Sequence, residues 1–215
     1  MKCSRTQVVI FDMDGVLIDA QTWHYEALNA ALGIFGCHID KGEHHKEFDG
    51  LPSRKKLEML TQRGRIPEHV HSSIERIKQE QTLRIAAMRC KPRIEHLLLF
   101  AYLKRHGVRI AVATNSIRRT ATAMLTFAGL YDDLSLLLTN EDVTMPKPHP
   151  EIYLRSLDLL GVQAEETVVV EDSDYGIKAA TEAGCNVVRV SGVDQVSIPL
   201  LSSRIEKSDD IAATF

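Results

Sequence analysis

The chain has 215 residues, of which 44% are hydrophobic and 26% are charged, a balance typical of a globular protein with one large domain or one and a half. The formal net charge of -3 excludes the strongly basic surface on which nucleic-acid binding relies. We therefore expect neither nucleic acid nor an anionic membrane among the partners.

The sequence shows no targeting or membrane-spanning pattern. No stretch approaches the roughly 18 consecutive apolar residues that a membrane-spanning helix needs. The first residues, MKCSRTQVVIF, reach an acidic residue before an apolar signal core forms. The four cysteines have no C-x-x-C spacing and are expected to be reduced: Cys3, Cys37, Cys90 and Cys185. These features predict a cytoplasmic protein and leave its oligomeric state open, with a monomer as one acceptable state.

The first predicted strand, VVIF at 8–11, runs directly into an acidic loop. Four consecutive apolar residues are typical of a strand that is buried on both faces. Asp12 and Asp14 follow this strand, and Gly15 allows the loop to turn sharply. Asp19 either belongs to the acidic group or begins the next helix. Carboxylates this close together repel each other, so their charges need a compensating partner.

Residues 20 to about 90 contain helical patterns and no strand signal. WHYEALNAAL is the first pattern, and SRKKLEMLTQ is the second, with Ser53 as its capping residue. A longer third helix is marked by Val70, Ile74, Ile77, Ile85 and Met88. We predict an all-helical domain at 19–90, inserted between the two parts of an α/β core at 1–18 and 91–215.

From residue 94 onward, helical patterns alternate with short apolar runs. Apolar residues recur at helical spacing in two groups: Ile94, Leu97, Leu98 and Ala101, then Ile117, Ala121, Met124, Leu125 and Ala128. Four more strands are predicted: RIAVAT (109–114), LSLLLT (134–139), TVVV (167–170) and NVVRV (186–190). This alternation predicts right-handed crossovers and a parallel α/β sheet.

In such a sheet the acidic loop lies at the expected binding crevice, because ligands bind beyond the carboxyl ends of the strands. Two acids there ionise fully only if a cation neutralises them. Mg²⁺ is the natural counter-charge, since it prefers oxygen ligands and is usually held by carboxylates and a substrate phosphate. A solvated turn is the alternative for Asp12 and Asp14. The helical insertion leaves from the same edge and could act as a lid.

Further polar residues follow the other predicted strands. VATNS places Thr114 and Asn115 at the same edge, although both residue types also serve in turns and helix caps. In MPKPHPEIY, two prolines stiffen the backbone around Lys147, which either delivers a charge to a phosphate or is solvated. VVVEDSDYG supplies a second acidic cluster, formed by Glu171, Asp172 and Asp174.

Together these segments resemble the haloacid dehalogenase-like (HAD) hydrolases, in the subgroup with a helical cap after the first motif. FDMDGVLID looks like the first motif, VATNS the second, Lys147 in KPHPEIY the third and VVVEDSDYG the fourth. The resemblance covers nearly the whole chain. It implies a Rossmann-like, doubly wound core with an inserted all-helical cap domain. It also implies an aspartyl-phosphate mechanism that requires Mg²⁺.

The resemblance implies a role for each residue of the motifs. Asp12 would attack phosphorus to form an acyl phosphate, and Asp14 would act as the general acid and then as the general base. The metal ligands would be Asp12, the backbone carbonyl of Asp14, Glu171 and Asp172. The phosphate contacts would be Thr114, Asn115 and Lys147. Asp174 would either support a metal ligand or only form a turn.

Substrate contacts are expected in the helical insertion. The candidates, which resemble sugar-phosphate contacts of β-phosphoglucomutase-like members, are His24, Arg54 and Lys78. Alternatively, His24 is structural, and Arg54 belongs to a solvated face with Lys55 and Lys56. The histidines without a defensible partner are expected at the surface: His44, His45, His69 and His71.

The acid at position 14 favours phosphoryl transfer from an oxygen ester, because family members that cleave carbon–halogen bonds lack it. The leading hypothesis is a Mg²⁺-dependent phosphatase of a small phosphorylated metabolite, such as a sugar or polyol phosphate. A phosphomutase, which returns the phosphoryl group to a sugar, is the alternative. A non-catalytic binding protein on the same fold is the third hypothesis.

Overall fold

The computed structural model describes residues 5–48 and 51–205 of the chain. The described residues separate into two compact units. The first falls within Met1–Asp19 and Lys91–Phe215, and the second within Ala20–Cys90. The first unit contains the sheet, and the described part of the second is helical. That the second unit is a lid domain stays a prediction.

The first unit is built on a five-stranded parallel sheet, which confirms the predicted Rossmann-like α/β fold. The strands are β1 (Val8–Phe11), β2 (Arg109–Ala113), β3 (Leu136–Leu138), β4 (Thr167–Glu171) and β5 (Asn186–Arg189). Their order in the sheet is β3-β2-β1-β4-β5, and each pair is parallel. The strand order reverses at β1, so the carboxyl ends of β1, β2 and β4 meet at the position where open α/β sheets bind ligands.

In its described residues, the second unit contains four α-helices, one π-helical turn and one 3-10 turn. The helices are α1 (Gln21–Gly33), α2 (Lys41–Glu43), α3 (Ser53–Gln62) and α4 (His71–Arg89). A π-helical turn spans His44–Phe48, and a 3-10 turn spans Glu68–Val70. The apolar core of this unit includes Leu28, Leu32, Ile39, Phe48, Leu57, Leu60 and Ile74.

Several expectations for this unit are wrong in detail. Ser53 is the first residue of α3 rather than its cap, because Pro52 holds the cap position. Met88, expected on the apolar face of α4, is exposed. Lys56, which the alternative for Arg54 placed on a solvated face, is only 9% exposed, and its Nζ lies 3.2 Å from His44 Nε2. Periodicity cannot show that the long stem of a lysine packs inward while its polar end finds a partner.

Two of the histidines expected at the surface have specific partners. The ring of His44 packs edge-on against Tyr25, with 4.9 Å between the ring centroids. His71 Nε2 lies 2.7 Å from Thr61 Oγ1. Both partners are ten or more residues away along the chain, so local sequence patterns could not indicate these contacts.

Five α-helices of the first unit surround the sheet in the described residues. They are α5 (Ile94–Arg105), α6 (Arg118–Phe127), α7 (Glu151–Leu160), α8 (Asp174–Glu182) and α9 (Ile198–Ile205). Short 3-10 turns span Tyr131–Asp133, Asn140–Asp142, Ala164–Glu166 and Val193–Gln195. The predicted apolar face of α6 is buried at Ala121, Met124 and Leu125.

The predicted apolar face of α5 is wrong. Ile94 is 67% exposed and Leu98 is 55% exposed. The buried residues of this helix are instead His96, Leu99, Phe100 and Leu103. The sequence IEHLLLFAYLKR has apolar residues around most of the helix, so spacing alone does not select a face. Phe100 decides it, because its ring stacks on Phe11 of β1 with centroids 5.5 Å apart.

In the described part of the chain, no helix combines the length and the apolar character needed to cross a membrane. Cys37, Cys90 and Cys185 are buried cysteines, whereas Cys3 lies outside the described residues. Burial raises the pKa of Cys90 and that of Cys185 to about 11. These two thiols are therefore uncharged at neutral pH and poorly reactive as nucleophiles.

His96 on α5 is a buried titratable residue of the first unit. Its Nε2 lies 3.0 Å from the carbonyl oxygen of Val193, and an ion pair between Arg93 and Asp194 lies beside it. Burial lowers the pKa of His96, and the nearby Arg93 charge adds to that effect. The folded protein therefore favours the neutral ring.

Because the pKa of His96 is lower in the folded chain, its contribution to stability is complete above about pH 6.5, the ordinary histidine pKa, and is lost as pH falls toward the lowered value. We expect His96→Gln to reduce the loss of unfolding free energy between about pH 7 and about pH 5. Urea unfolding at both pH values measures the change in unfolding free energy. The control is His69→Gln, at an exposed position of the helical unit. Equal pH dependence in wild type and His96→Gln would contradict the assignment.

Candidate active site

The loop after β1 places two carboxylates at the reversal point of the sheet. Asp12 N donates to Val170 O at 2.9 Å, which continues the pairing of β1 with β4 for one residue. Gly15 adopts a φ of 91°, as the predicted sharp turn requires, and its N–H donates to Ile18 O at 2.7 Å. The Asp12 side chain is thus held at the carboxyl end of the central strand, where it is buried.

Lys147 joins three strand ends through its buried ammonium. Nζ donates to Asp12 Oδ1 at 2.7 Å and to Glu171 Oε1 at 2.6 Å. It also donates to the carbonyl oxygen of Ala113, the last residue of β2, at 2.8 Å. An ammonium has three N–H donors, so all of them are used. A contact between Lys147 and a phosphate stays a prediction, and it requires one of these bonds to be exchanged.

The carboxylate of Glu171 is completely buried and accepts hydrogen bonds on both oxygens. Besides Lys147, Oε1 accepts a bond from the hydroxyl of Tyr153 at 2.9 Å. Oε2 accepts from Asp172 N at 3.1 Å, Ser173 N at 3.3 Å and Ser173 Oγ at 3.2 Å. Metal coordination through Glu171 would displace at least one of these donors, since a carboxylate has about four lone-pair sites. Tyr153 was not a predicted site residue, although it closes the KPHPEIY motif.

Three carboxylates lie close enough together to hold a metal ion. One oxygen from each of Asp12, Glu171 and Asp172 lies within 4.8 Å of the others. Carboxylate oxygens are hard ligands of the kind that Mg²⁺ and Ca²⁺ prefer. Three of the four predicted metal ligands are therefore brought together. The fourth, the backbone carbonyl of Asp14, stays a prediction.

The electrostatics of this cluster favour an added positive charge. Burial raises the pKa of Asp12, and although Lys147 opposes this, the charges of Glu171 and Asp14 reinforce it. Burial and the neighbouring Glu171 raise the pKa of Asp172 to about 6. Burial disfavours the charge of Lys147, but Asp12 and Glu171 outweigh it and raise the pKa of the ammonium. One ammonium cannot neutralise these carboxylates, and a divalent cation would relieve the excess.

Three consecutive side chains after β2 contact different parts of the site. Thr114 is buried, and its Oγ1 accepts a bond from Ser116 N at 3.1 Å. The Asn115 side chain bonds to the main chain of Lys147. Ser116 Oγ donates to Asp14 Oδ2 at 2.8 Å. Ser116 was not among the predicted site residues, although it is the last letter of the VATNS motif that contains Thr114 and Asn115.

The two acidic residues with open roles are both exposed. Asp174 is the first residue of α8 and forms an exposed ion pair with Arg189 at 3.0 Å. Asp19 is exposed and lies two residues before α1. The described contact of Asp174 favours a local structural role for this residue.

The candidate substrate contacts all lie in the helical unit. His24 is half-buried on α1. Arg54 is exposed on α3, and its Nε lies 3.4 Å from Glu58 Oε1. Lys78 on α4 donates to Ser53 Oγ at 2.8 Å. The neighbours of Arg54 and Lys78 show how these two side chains are oriented within the unit, and contact of all three residues with a substrate stays a prediction.

A substitution at Gly176 on α8 would test how tightly the side chain of Glu171 is confined. A Cβ atom at this position would lie 1.7 Å from Glu171 Oε1. Replacement of glycine by alanine normally stabilises a helix by about 1 kcal/mol. At Gly176 the collision with Glu171 outweighs this gain. We therefore expect Gly176→Ala to lower the unfolding free energy by about 1–3 kcal/mol. Urea unfolding measures this difference.

The matched control is Gly33→Ala at the end of α1, where an added Cβ meets nothing within 4 Å. This control should be neutral or slightly stabilising. If Gly176→Ala were as stable as wild type, the Glu171 carboxylate would have to be free to move away.

Comparisons with known proteins agree with this geometry. Residues 9–190 match the family described as haloacid dehalogenase-like hydrolase. The phosphorylated carbohydrates phosphatase of Thermotoga maritima is 31% identical over 87% of this chain and 85% of its own length. The fructose-1-phosphate phosphatase YqaB of Escherichia coli is 30% identical over 85% of this chain and 95% of its own length.

A solved structure shares the architecture. CbbY from Rhodobacter sphaeroides, crystallised in complex with phosphate, is 25% identical and superposes with a TM-score of 0.78. The match covers 86% of each chain. The four motifs, the parallel sheet and the family match lead to one conclusion: this chain belongs to the haloacid dehalogenase-like hydrolases.

Proposed function

We propose that the protein is a Mg²⁺-dependent phosphatase of small phosphorylated metabolites, in particular sugar or polyol phosphates. The observation that carries the proposal is the buried ammonium of Lys147, which bonds to Asp12 and Glu171 within an acidic cluster that includes Asp172. The phosphatases of phosphorylated carbohydrates and of fructose 1-phosphate among its relatives support the substrate class.

Asp12 is the proposed nucleophile. Lys147 holds Oδ1 of its carboxylate and favours the ionised form that nucleophilic attack needs. A carboxylate oxygen attacks phosphorus, the bond from phosphorus to the ester oxygen breaks, and an acyl phosphate forms on Asp12. The covalent intermediate divides one difficult displacement into two easier ones.

Asp14 is the proposed proton carrier. In the first step it gives its proton to the departing ester oxygen, and in the second it takes a proton from the water that attacks phosphorus. The bond between phosphorus and Asp12 then breaks, and inorganic phosphate leaves. Ser116 supports this role because its hydroxyl fixes Oδ2 of Asp14, two residues beyond the nucleophile. Thr114 and Lys147 are proposed to contact the remaining phosphoryl oxygens.

Asp12, Asp172 and the main-chain carbonyl of Asp14 are the proposed Mg²⁺ ligands, with Glu171 beside them. When bound, Mg²⁺ would supply charge neutralisation between the anionic nucleophile and the anionic phosphate. The substrate contacts are assigned to His24, Arg54 and Lys78 of the helical unit. That unit is proposed to close over the reaction and exclude water before the first displacement.

A panel of phosphate esters, assayed with Mg²⁺ and again with a chelator, tests the activity. We expect release of inorganic phosphate with Mg²⁺ and its loss with chelator, because the acidic cluster needs a cation. Isomerisation of a sugar 1-phosphate primed by its bisphosphate, without net phosphate release, would instead identify the alternative, a phosphomutase. Absence of both activities across the panel would favour a binding protein on the same fold.

Replacement of Asp12 tests the nucleophile. We expect Asp12→Asn to lower kcat on the order of a thousandfold or more, because an amide cannot form the acyl phosphate. Phosphate release measured under saturating substrate gives the comparison. Asp158→Asn, on the exposed side of α7, is the matched control and should keep wild-type turnover. Substantial activity in Asp12→Asn would refute the assignment.

A further inference from the structure

The side chain of Asn115 forms a reciprocal pair of hydrogen bonds with the main chain of Lys147. Lys147 N donates to Asn115 Oδ1 at 3.1 Å, and Asn115 Nδ2 donates to Lys147 O at 3.3 Å. Both main-chain polar groups of Lys147 are therefore held by one side chain. That side chain comes from the loop after β2, 32 residues earlier in the sequence.

The main chain of Lys147 itself has no strand neighbour to bond to. It lies between β3 and α7, outside any strand ladder. Pro146 and Pro148 have no N–H, so Lys147 carries the single main-chain donor between them. A primary amide offers one acceptor and one donor side by side, which matches the N–H and the C=O of this residue. Asn115 thus takes the place of a neighbouring strand.

We propose that Asn115 is a positioning residue, which determines where the ammonium of Lys147 lies, rather than a contact of the phosphate. The far end of Lys147 makes three bonds of 2.6 to 2.8 Å, to Asp12, Ala113 and Glu171. Three short bonds at one end and two at the other leave this side chain little freedom. Loss of the Asn115 tether would let the main chain drift and weaken the contact between Lys147 and Asp12.

Hydrogen exchange of the Lys147 amide, followed by NMR on ¹⁵N-labelled protein, tests the tether. We expect Asn115→Ala to speed exchange of this amide by at least about tenfold, because its acceptor is removed. The Thr114 amide, which donates to Leu138 O at 3.0 Å, should keep its protection. Asn115→Asp retains an acceptor for the Lys147 N–H and should restore part of the protection.

The matched control is Asn186→Ala at the start of β5. Asn186 also bonds through Nδ2 to a main-chain carbonyl, Glu165 O at 2.9 Å, but it lies at the opposite end of the strands. This variant should leave exchange at Lys147 unchanged. If Asn115→Ala does not fold, Asn115→Ser, which leaves a shorter hydroxyl, gives the same comparison. Unchanged exchange at Lys147 in the Asn115 variants would overturn the proposal.

The kinetic consequence rests on the proposed phosphatase activity. We expect Asn115→Ala to lower kcat by about 10- to 100-fold while KM changes by less than about threefold, because a displaced Lys147 would weaken its contacts with Asp12 and with the phosphoryl oxygens more in the transition state than in the ground state. A rise in KM without a faster Lys147 amide would show a direct phosphate contact and overturn the proposal. A wild-type protein without phosphatase activity would refute the proposed function, and the exchange experiment would still decide the role of Asn115.

Discussion

The site is organised around one buried ammonium that faces more carboxylates than it can neutralise. Lys147 is held by Asp12 and Glu171 at hydrogen-bond distance, and Asp172 completes the group. Burial makes each of these charges expensive unless it is paired. The surplus negative charge would be relieved by a divalent cation, and the proposed Mg²⁺ would also reduce the repulsion between the cluster and an anionic phosphate. The excess of carboxylate charge over ammonium charge therefore underlies both the need for a compensating cation in the folded protein and the proposed need for Mg²⁺ in the reaction.

The loop after β2 shows how a short sequence can serve several purposes. Thr114 lies buried at the strand end, Asn115 holds the main chain of Lys147, and Ser116 holds Asp14. Each of the three side chains points to a different partner because the loop leaves the sheet beside β1, between the first and third motifs. Asp14, the proposed proton carrier, and Lys147 are thus both positioned by the loop after one strand, β2.

The sequence was sufficient to predict the strands, the parallel sheet and the grouping of Asp12, Lys147, Glu171 and Asp172, because buried parallel strands are continuous apolar runs with their functional residues at one end. It was not sufficient for the buried face of α5, where apolar residues surround the helix and only the contact of Phe100 with Phe11 selects one side. Tyr153 and Ser116 were missed for a different reason. Their roles depend on hydrogen bonds to distant carboxylates, which spacing does not reveal.

The bond between Lys147 and Asp12 joins residues 135 positions apart in the sequence. Residues 1–147, more than two thirds of the 215-residue chain, must therefore be synthesised before Asp12, the proposed nucleophile, has its partner. A nascent or truncated chain that ends before β4 also lacks Glu171 and Asp172. Such a fragment would lack two of the three clustered carboxylates, so turnover would report that β1, β2 and β4 have come together.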